Sequence, residues 1–225
     1  MQSNCTACHG SRVGDEYMGK NEGVPGDVHW TKEGMTCSAC HTDALHGTGE
    51  QMANRYQSPS AQCEDCHEDV WQDTEGNPQH EQHVGDLSCN VCHATSYKNC
   101  YSCHVAVNDK GVPYYATEPS EMHFKIGINT LRSREKPYKY VVLRHPPTNP
   151  DVFEFYGSNL LPEFDALPTW KYATPHNIQL HTPQNESCDA CHGNEALFLT
   201  EDDLSPDEIK ANQGVIVPEI PSPVP

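Results

Sequence analysis

Twelve cysteines in this 225-residue chain fall into six pairs of identical spacing, and each pair is followed directly by histidine. The runs are Cys5-Thr6-Ala7-Cys8-His9, Cys37-Ser38-Ala39-Cys40-His41, Cys63-Glu64-Asp65-Cys66-His67, Cys89-Asn90-Val91-Cys92-His93, Cys100-Tyr101-Ser102-Cys103-His104 and Cys188-Asp189-Ala190-Cys191-His192. Whatever these thiols bind decides what the chain can fold around. A disulfide scaffold would suit an even cysteine count in an exported protein, but it requires neither a constant spacing nor a histidine. Two C-x-x-C knuckles can build a Cys₄ zinc site, which again leaves the following histidine unexplained. Redox C-x-x-C pairs would not come six to a chain. C-x-x-C-H is the attachment signal of c-type heme. Two thiols add to the vinyl groups of one porphyrin, and the next residue brings an imidazole under the iron. The sequence therefore predicts six hemes c, with all twelve cysteines as covalent attachment points. His9, His41, His67, His93, His104 and His192 are the proximal iron ligands.

Composition agrees with an unusual interior. Counting glycine and omitting tyrosine, about 38% of residues are apolar, against about 45–50% in an ordinary domain. The length suits one or two domains. Asp and Glu number 32 against 14 Lys and Arg, for a formal net charge of −18. So acidic a chain is a poor binder of nucleic acid through phosphate neutralisation. No run approaches the roughly 20 apolar residues of a membrane span. Residues 1–4 contain neither a basic nor an apolar signal region, so the chain reads as a mature form whose secretory signal has been removed.

The first cysteines of the motifs stand at 5, 37, 63, 89, 100 and 188. Five motifs thus crowd into residues 1–104, the expected N-terminal five-heme region. Only six residues separate His93 from Cys100, and at roughly 3.3–3.6 Å per extended residue the fourth and fifth hemes must be neighbours. Residues 105–187 form a heme-poor segment with one strand or hairpin signal, Tyr138-Lys139-Tyr140-Val141-Val142-Leu143, stopped by Pro146-Pro147. Phe153, Phe155, Tyr156, Phe164, Trp170 and Tyr172 make this segment the expected place for a conventional core. Residues 188–225 carry the sixth motif, an acidic capped turn at 201–208 and an extended Pro-rich tail. The expected fold is mostly irregular, with short α-helices and few β-strands, and the three regions form one continuous heme-packed unit.

Eight further histidines remain for the six second axial positions: His29, His46, His80, His83, His123, His145, His176 and His181. Bis-histidine ligation of every iron is arithmetically possible. His29, His83 and His181 lie shortly before a motif, and His46 lies five residues after His41. His80 and His83 share one face if helical. Met18, Met35, Met52 and Met122 are alternative sixth ligands that would raise a potential, or packing against a porphyrin edge.

On these motifs the chain resembles the multiheme c-type cytochromes, specifically the hexaheme, outer-surface cytochromes of extracellular electron transfer, some of which form filaments. The resemblance implies a multiheme cytochrome c fold organised around a chain of stacked hemes. It implies location outside the cytoplasmic membrane, in the periplasm or at the cell surface. The segments 80–104, 144–146 and 175–177 resemble parts of such proteins, which favours His29, His46, His80, His83, His145 and His176 as distal ligands, with His181 and His123 in reserve. Spacing alone would prefer His181 to His176.

The expected function is electron relay through six hemes rather than enzymatic catalysis. Subunits of an extracellular filament could share a heme ligand between neighbours; surplus histidines and the extended tail fit that version. The alternatives are a periplasmic monomeric carrier and a reductase of nitrite, hydroxylamine or a sulfur oxyanion with one open iron. Six ferric hemes with ionised propionates would take the net charge from −18 to about −24, so successive reductions become harder by Coulomb repulsion. Redox partner proteins would then dock through basic patches.

Overall fold

A computed structural model describes residues 2–41, 46, 61–72, 75–98, 103–117, 122–132, 137–146 and 151–223. Cys100 and Met52 lie outside the described residues. Most of the chain is irregular, and its regular elements are short. The helices are α1 Gln2–His9, α2 Asp15–Tyr17, α3 Val28–Thr31, α4 Cys37–Cys40, α5 Glu68–Gln72, α6 Pro78–His83, α7 Cys89–His93, α8 Cys188–Cys191 and α9 Ile209–Asn212. The strands are β1 Tyr97–Lys98, β2 His104–Val107, β3 Pro113–Ala116, β4 Met122–His123, β5 Lys125–Ile128, β6 Tyr140–Arg144 and β7 Lys171–Tyr172. Single-turn helices this short do not persist alone in water, because nucleation costs more than so few bonds return. They are held by what they carry and pack against.

The chain divides into two compact units. The first comprises residues 1–84 and 175–180; the second comprises 85–174 and 181–225. The second holds the apolar core. There β6 pairs antiparallel with β5 and β7, with Ile126 opposite Val142 and Leu143 opposite Tyr172. Side chains alternate faces along a strand, and β6 is covered on both. Val142 meets Val91, Ile126, Ala173, Phe198 and Val217 on one side. Val141 and Leu143 meet Tyr138, Trp170, Leu199 and Val215 on the other. This double burial explains why the strand reads as a continuous apolar run rather than an alternating one.

The expected aromatic core is only partly found. Trp170 is 5% exposed, but Phe153, Phe155 and Tyr156 are 42%, 47% and 64% exposed. They sit on a single 3₁₀ turn, Glu154–Tyr156. Phe155 and Tyr156 pack edge to face against each other, with ring centroids 5.1 Å apart. The capped turn at 201–208 is present as a 3₁₀ turn, Glu201–Asp203, closed by a capping box between Thr200 and Asp203.

Gly127 in β5 shows how tightly the second unit closes. A Cβ there would stand 2.6 Å from the Val215 carbonyl oxygen and against the Leu143 side chain. That carbonyl already accepts the Ile128 N–H at 2.8 Å, so it has little freedom to move. Gly127→Ala should therefore destabilise the protein by about 1–3 kcal/mol, read as a lower denaturant midpoint.

The first unit contrasts sharply. Among the described residues, the only buried apolar side chain that belongs to it is Pro175. Its buried side chains include Glu16, Asp27 and Asn177, which are polar. Asp27 caps α3 by accepting the His29 N–H, and Asn77 caps α6 by accepting the His80 N–H. Local hydrogen bonds of this kind orient a chain but do not by themselves outweigh its conformational entropy.

Candidate functional site

The motif helices explain the cysteine spacing locally. One helical turn brings residues i and i+3 to the same face, so Cys37 and Cys40 on α4, and Cys188 and Cys191 on α8, project as pairs. Each helix starts from an extended residue, Thr36 or Ser187. It stops at the motif histidine, where His41 and His192 return to extended backbone. The third motif does the same with a 3₁₀ turn, Cys63–Asp65, in a capping box with Gln62. None of the eleven described cysteines is in a disulfide.

Within the first unit the motifs follow one another in space. Cys5 hydrogen-bonds Cys37, and Cys40 lies close enough to Cys63 and Cys66 to feel their charge. Burial, and then these neighbours, raise the Cys40 thiol above its ordinary range. In the second unit motif four meets motif six. Burial pushes the Cys92 thiol up to about 11, with the nearby Cys191 adding to the effect. The stitching is explicit: Gln184 Nε2 donates to the carbonyls of Val91, Cys92 and Ala94 at 3.2, 3.3 and 2.7 Å. Thr182 Oγ1 donates to the Cys92 carbonyl as well. The segment leading into motif six is thereby fastened to α7.

Three motif histidines face a second imidazole. The ring centroids of His9 and His46 are 6.1 Å apart with planes at 14°. His41 and His176 are 6.2 Å apart at 22°, and His29 and His67 are 6.1 Å apart at 62°. Such separations lie within the range of about 4.5–7 Å found for aromatic pairs in general. Two imidazoles bound trans to one first-row metal, with metal–nitrogen bonds of about 2.0–2.1 Å, have centroids roughly 6.2–6.4 Å apart. The residues present therefore fit an iron between each pair, and each pair joins a motif histidine to one from outside the motifs. Burial, and then the neighbouring His9, lower the pKa of His41, which favours the neutral imidazole that a metal requires.

Hydrogen bonds to the other ring nitrogen sort the histidines further. His29 Nδ1 lies 2.8 Å from Asp27 Oδ1, His83 Nδ1 2.7 Å from the Gln79 carbonyl and His192 Nδ1 3.0 Å from the Ser222 carbonyl. Each partner accepts, so Nδ1 is the donor, the usual arrangement of a ligating histidine. His145 is set the other way. Its Nε2 lies 2.6 Å from Glu208 Oε1, and its ring stacks on Trp170 at 4.9 Å. The bond clamps the end of β6 to the residue before α9. His80 lies on α6, His104 opens β2 and His123 ends β4; His181 is exposed.

Asp27 and the Ser222 carbonyl escaped the sequence reading. The cue for Asp27 was present, an acidic cap two residues before a candidate ligand. Nothing local marks Ser222. The tail does not extend away: Gly193 N–H donates to the Pro221 carbonyl at 2.7 Å, and Val215 and Val217 are buried in the core. Residues 215–222 lie along their own sixth motif.

Burial raises the Glu208 carboxyl, but hydrogen bonds from Thr169, His145 and Ser205, together with the charge of His145, take it below its ordinary 4.5. The folded group thus titrates below the unfolded one. Its stabilisation is whole above 4.5 and is lost as the pH falls through the folded value. Glu208→Ala should cost about 1–3 kcal/mol near neutrality and flatten the acid limb of a stability–pH curve. Comparison with protein-family models, with curated proteins and with solved structures returned no match.

Proposed function

We infer that this chain is an electron-transfer protein that holds six hemes c outside the cytoplasmic membrane and relays electrons between redox partners. The observation that carries the reading is the set of three opposed imidazole pairs at 6.1–6.2 Å, each joining a C-x-x-C-H histidine to a partner from elsewhere in the first unit. When bound, each heme supplies a one-electron iron couple. The chain's own residues anchor, orient and insulate. The motif cysteines would anchor each porphyrin, the pairs His9–His46, His29–His67 and His41–His176 would hold three of the irons, and Nδ1 hydrogen bonds orient the His29, His83 and His192 rings. A second imidazole opposite the motif histidine would leave no open iron at these three sites, which favours relay over a reductase.

The motif contacts support an order of relay within each unit, from one to two to three in the first and between four and six in the second. Assembly into a filament rests on the surplus histidines alone, because the tail is already engaged by its own chain. The relay reading is tested on protein made with heme-attachment machinery. Intact mass should carry six hemes, and absorption and paramagnetic resonance should show only low-spin iron. A mass without heme, or a dominant high-spin signal, overturns it.

A further inference from the structure

The pairs His29–His67 and His41–His176 depend on one buried carboxylate, and we propose that Asp27 is the positioning residue for both and the group that lowers the potential of the third heme. The inference rests on the heme reading above and names a device within it. Asp27 is 3% exposed. Its Oδ1 accepts the His29 backbone N–H at 2.9 Å and the His29 Nδ1–H at 2.8 Å. Its Oδ2 accepts the Ile178 N–H at 2.9 Å, from a residue 151 positions away.

Helix capping alone would account for the first bond and not for the other two. The second fixes the His29 tautomer, leaving Nε2 as the nitrogen available to an iron shared with His67. A carboxylate on the far nitrogen makes a ligating imidazole more basic. More electron density at the iron stabilises the ferric state and lowers the potential. Burial strengthens this charge effect, since little water screens it.

The third bond reaches the other pair. Ile178 lies two residues from His176, and the same segment is held by Val28 N–H to the Ile178 carbonyl at 2.9 Å and by Gln179 Nε2 to the Gly26 carbonyl at 2.6 Å. One side chain thus ties the His29 ring to the segment that presents His176 to His41. Asp27 is the shared support of two adjacent relay sites.

The test uses the heme-loaded full chain. Asp27→Asn keeps the shape and one acceptor oxygen while removing the charge. Spectroelectrochemistry should show one couple shifted upward by about tenfold in its reduction equilibrium, or about 59 mV for one electron, with six hemes retained and all low-spin. Asp27→Ala, which also releases Ile178, should add a high-spin signal. A capping role alone predicts no shift, so an Asp27→Asn titration superimposable on the parent's overturns the proposal. Should that variant fail to accumulate, nitrogen-15 histidine labelling of the fully reduced parent asks the same question. A His29 Nδ1–H that is far downfield and slow to exchange supports the proposal, and one exchanging freely with water overturns it. A parent mass lacking heme defeats the relay reading itself, which separates the two failures.

Discussion

Made without heme attachment, the chain should lose its first unit and keep the sheet of its second. By hydrogen exchange, amides of residues 2–41, 61–72, 75–84 and 175–180 should exchange at unfolded-chain rates. Amides of β5 and β6 should stay protected. The reason lies in where apolar surface is buried. Fixing a backbone costs roughly 1–2 kcal/mol per residue, and burial of apolar side chains is the main term that offsets it. Val141, Val142, Leu143, Ile126, Leu199 and Phe198 supply that term in the second unit, each 3% exposed or less. The first unit buries Glu16, Asp27 and Asn177, side chains that need partners rather than providing a driving force. On the proposed reading, three covalently tethered porphyrins, one for each motif of the first unit, would be the missing apolar mass. Equal protection in both units of the heme-free chain would show that the polypeptide folds by itself.

Replacing His176 should change one heme in six. His176→Ala removes the imidazole that faces His41 at 6.2 Å, so one iron should pass from low-spin to high-spin, and added imidazole should return it. His181→Ala should leave all six low-spin, because His181 is exposed whereas His176 lies on the segment that Asp27 holds. The contrast is decisive because the two histidines are five residues apart and spacing alone would choose the other. An unchanged spectrum for His176→Ala, or a high-spin heme in His181→Ala, would reassign the pair.

His145 shows what a place in the sequence leaves open. Its place at the end of a strand, before Pro146, made it a reasonable ligand candidate. The fold directs its Nε2 to Glu208, 63 positions later. A histidine's sequence neighbours say how rigidly it is held, and not which acceptor or metal lies opposite. The strand itself was legible: a β-branched and aromatic run at 138–143 became β6, Tyr140–Arg144. The exposed aromatics Phe153, Phe155 and Tyr156 were misjudged because hydrophobicity reports a tendency to be buried, whereas burial also requires an opposing surface.

The sequence by itself determined the chemistry that is written contiguously. Cys-x-x-Cys-His places two thiols and an imidazole within about one helical turn, and the proposed cofactor type, heme count and proximal ligands rest on that local pattern. The deficit of apolar residues followed too, as a statement about what the interior must contain. Only the tertiary structure decided which second imidazole faces His9, His41 and His67. His176 reaches His41 from the far side of the heme-poor segment. Motif six is fastened to motif four through Thr182 and Gln184, and residues 215–222 fold back along His192. These pairings come from long-range closure, whose entropy grows only slowly with loop length. Distance along the chain therefore says little about which histidine arrives, and one buried carboxylate at Asp27 says a great deal.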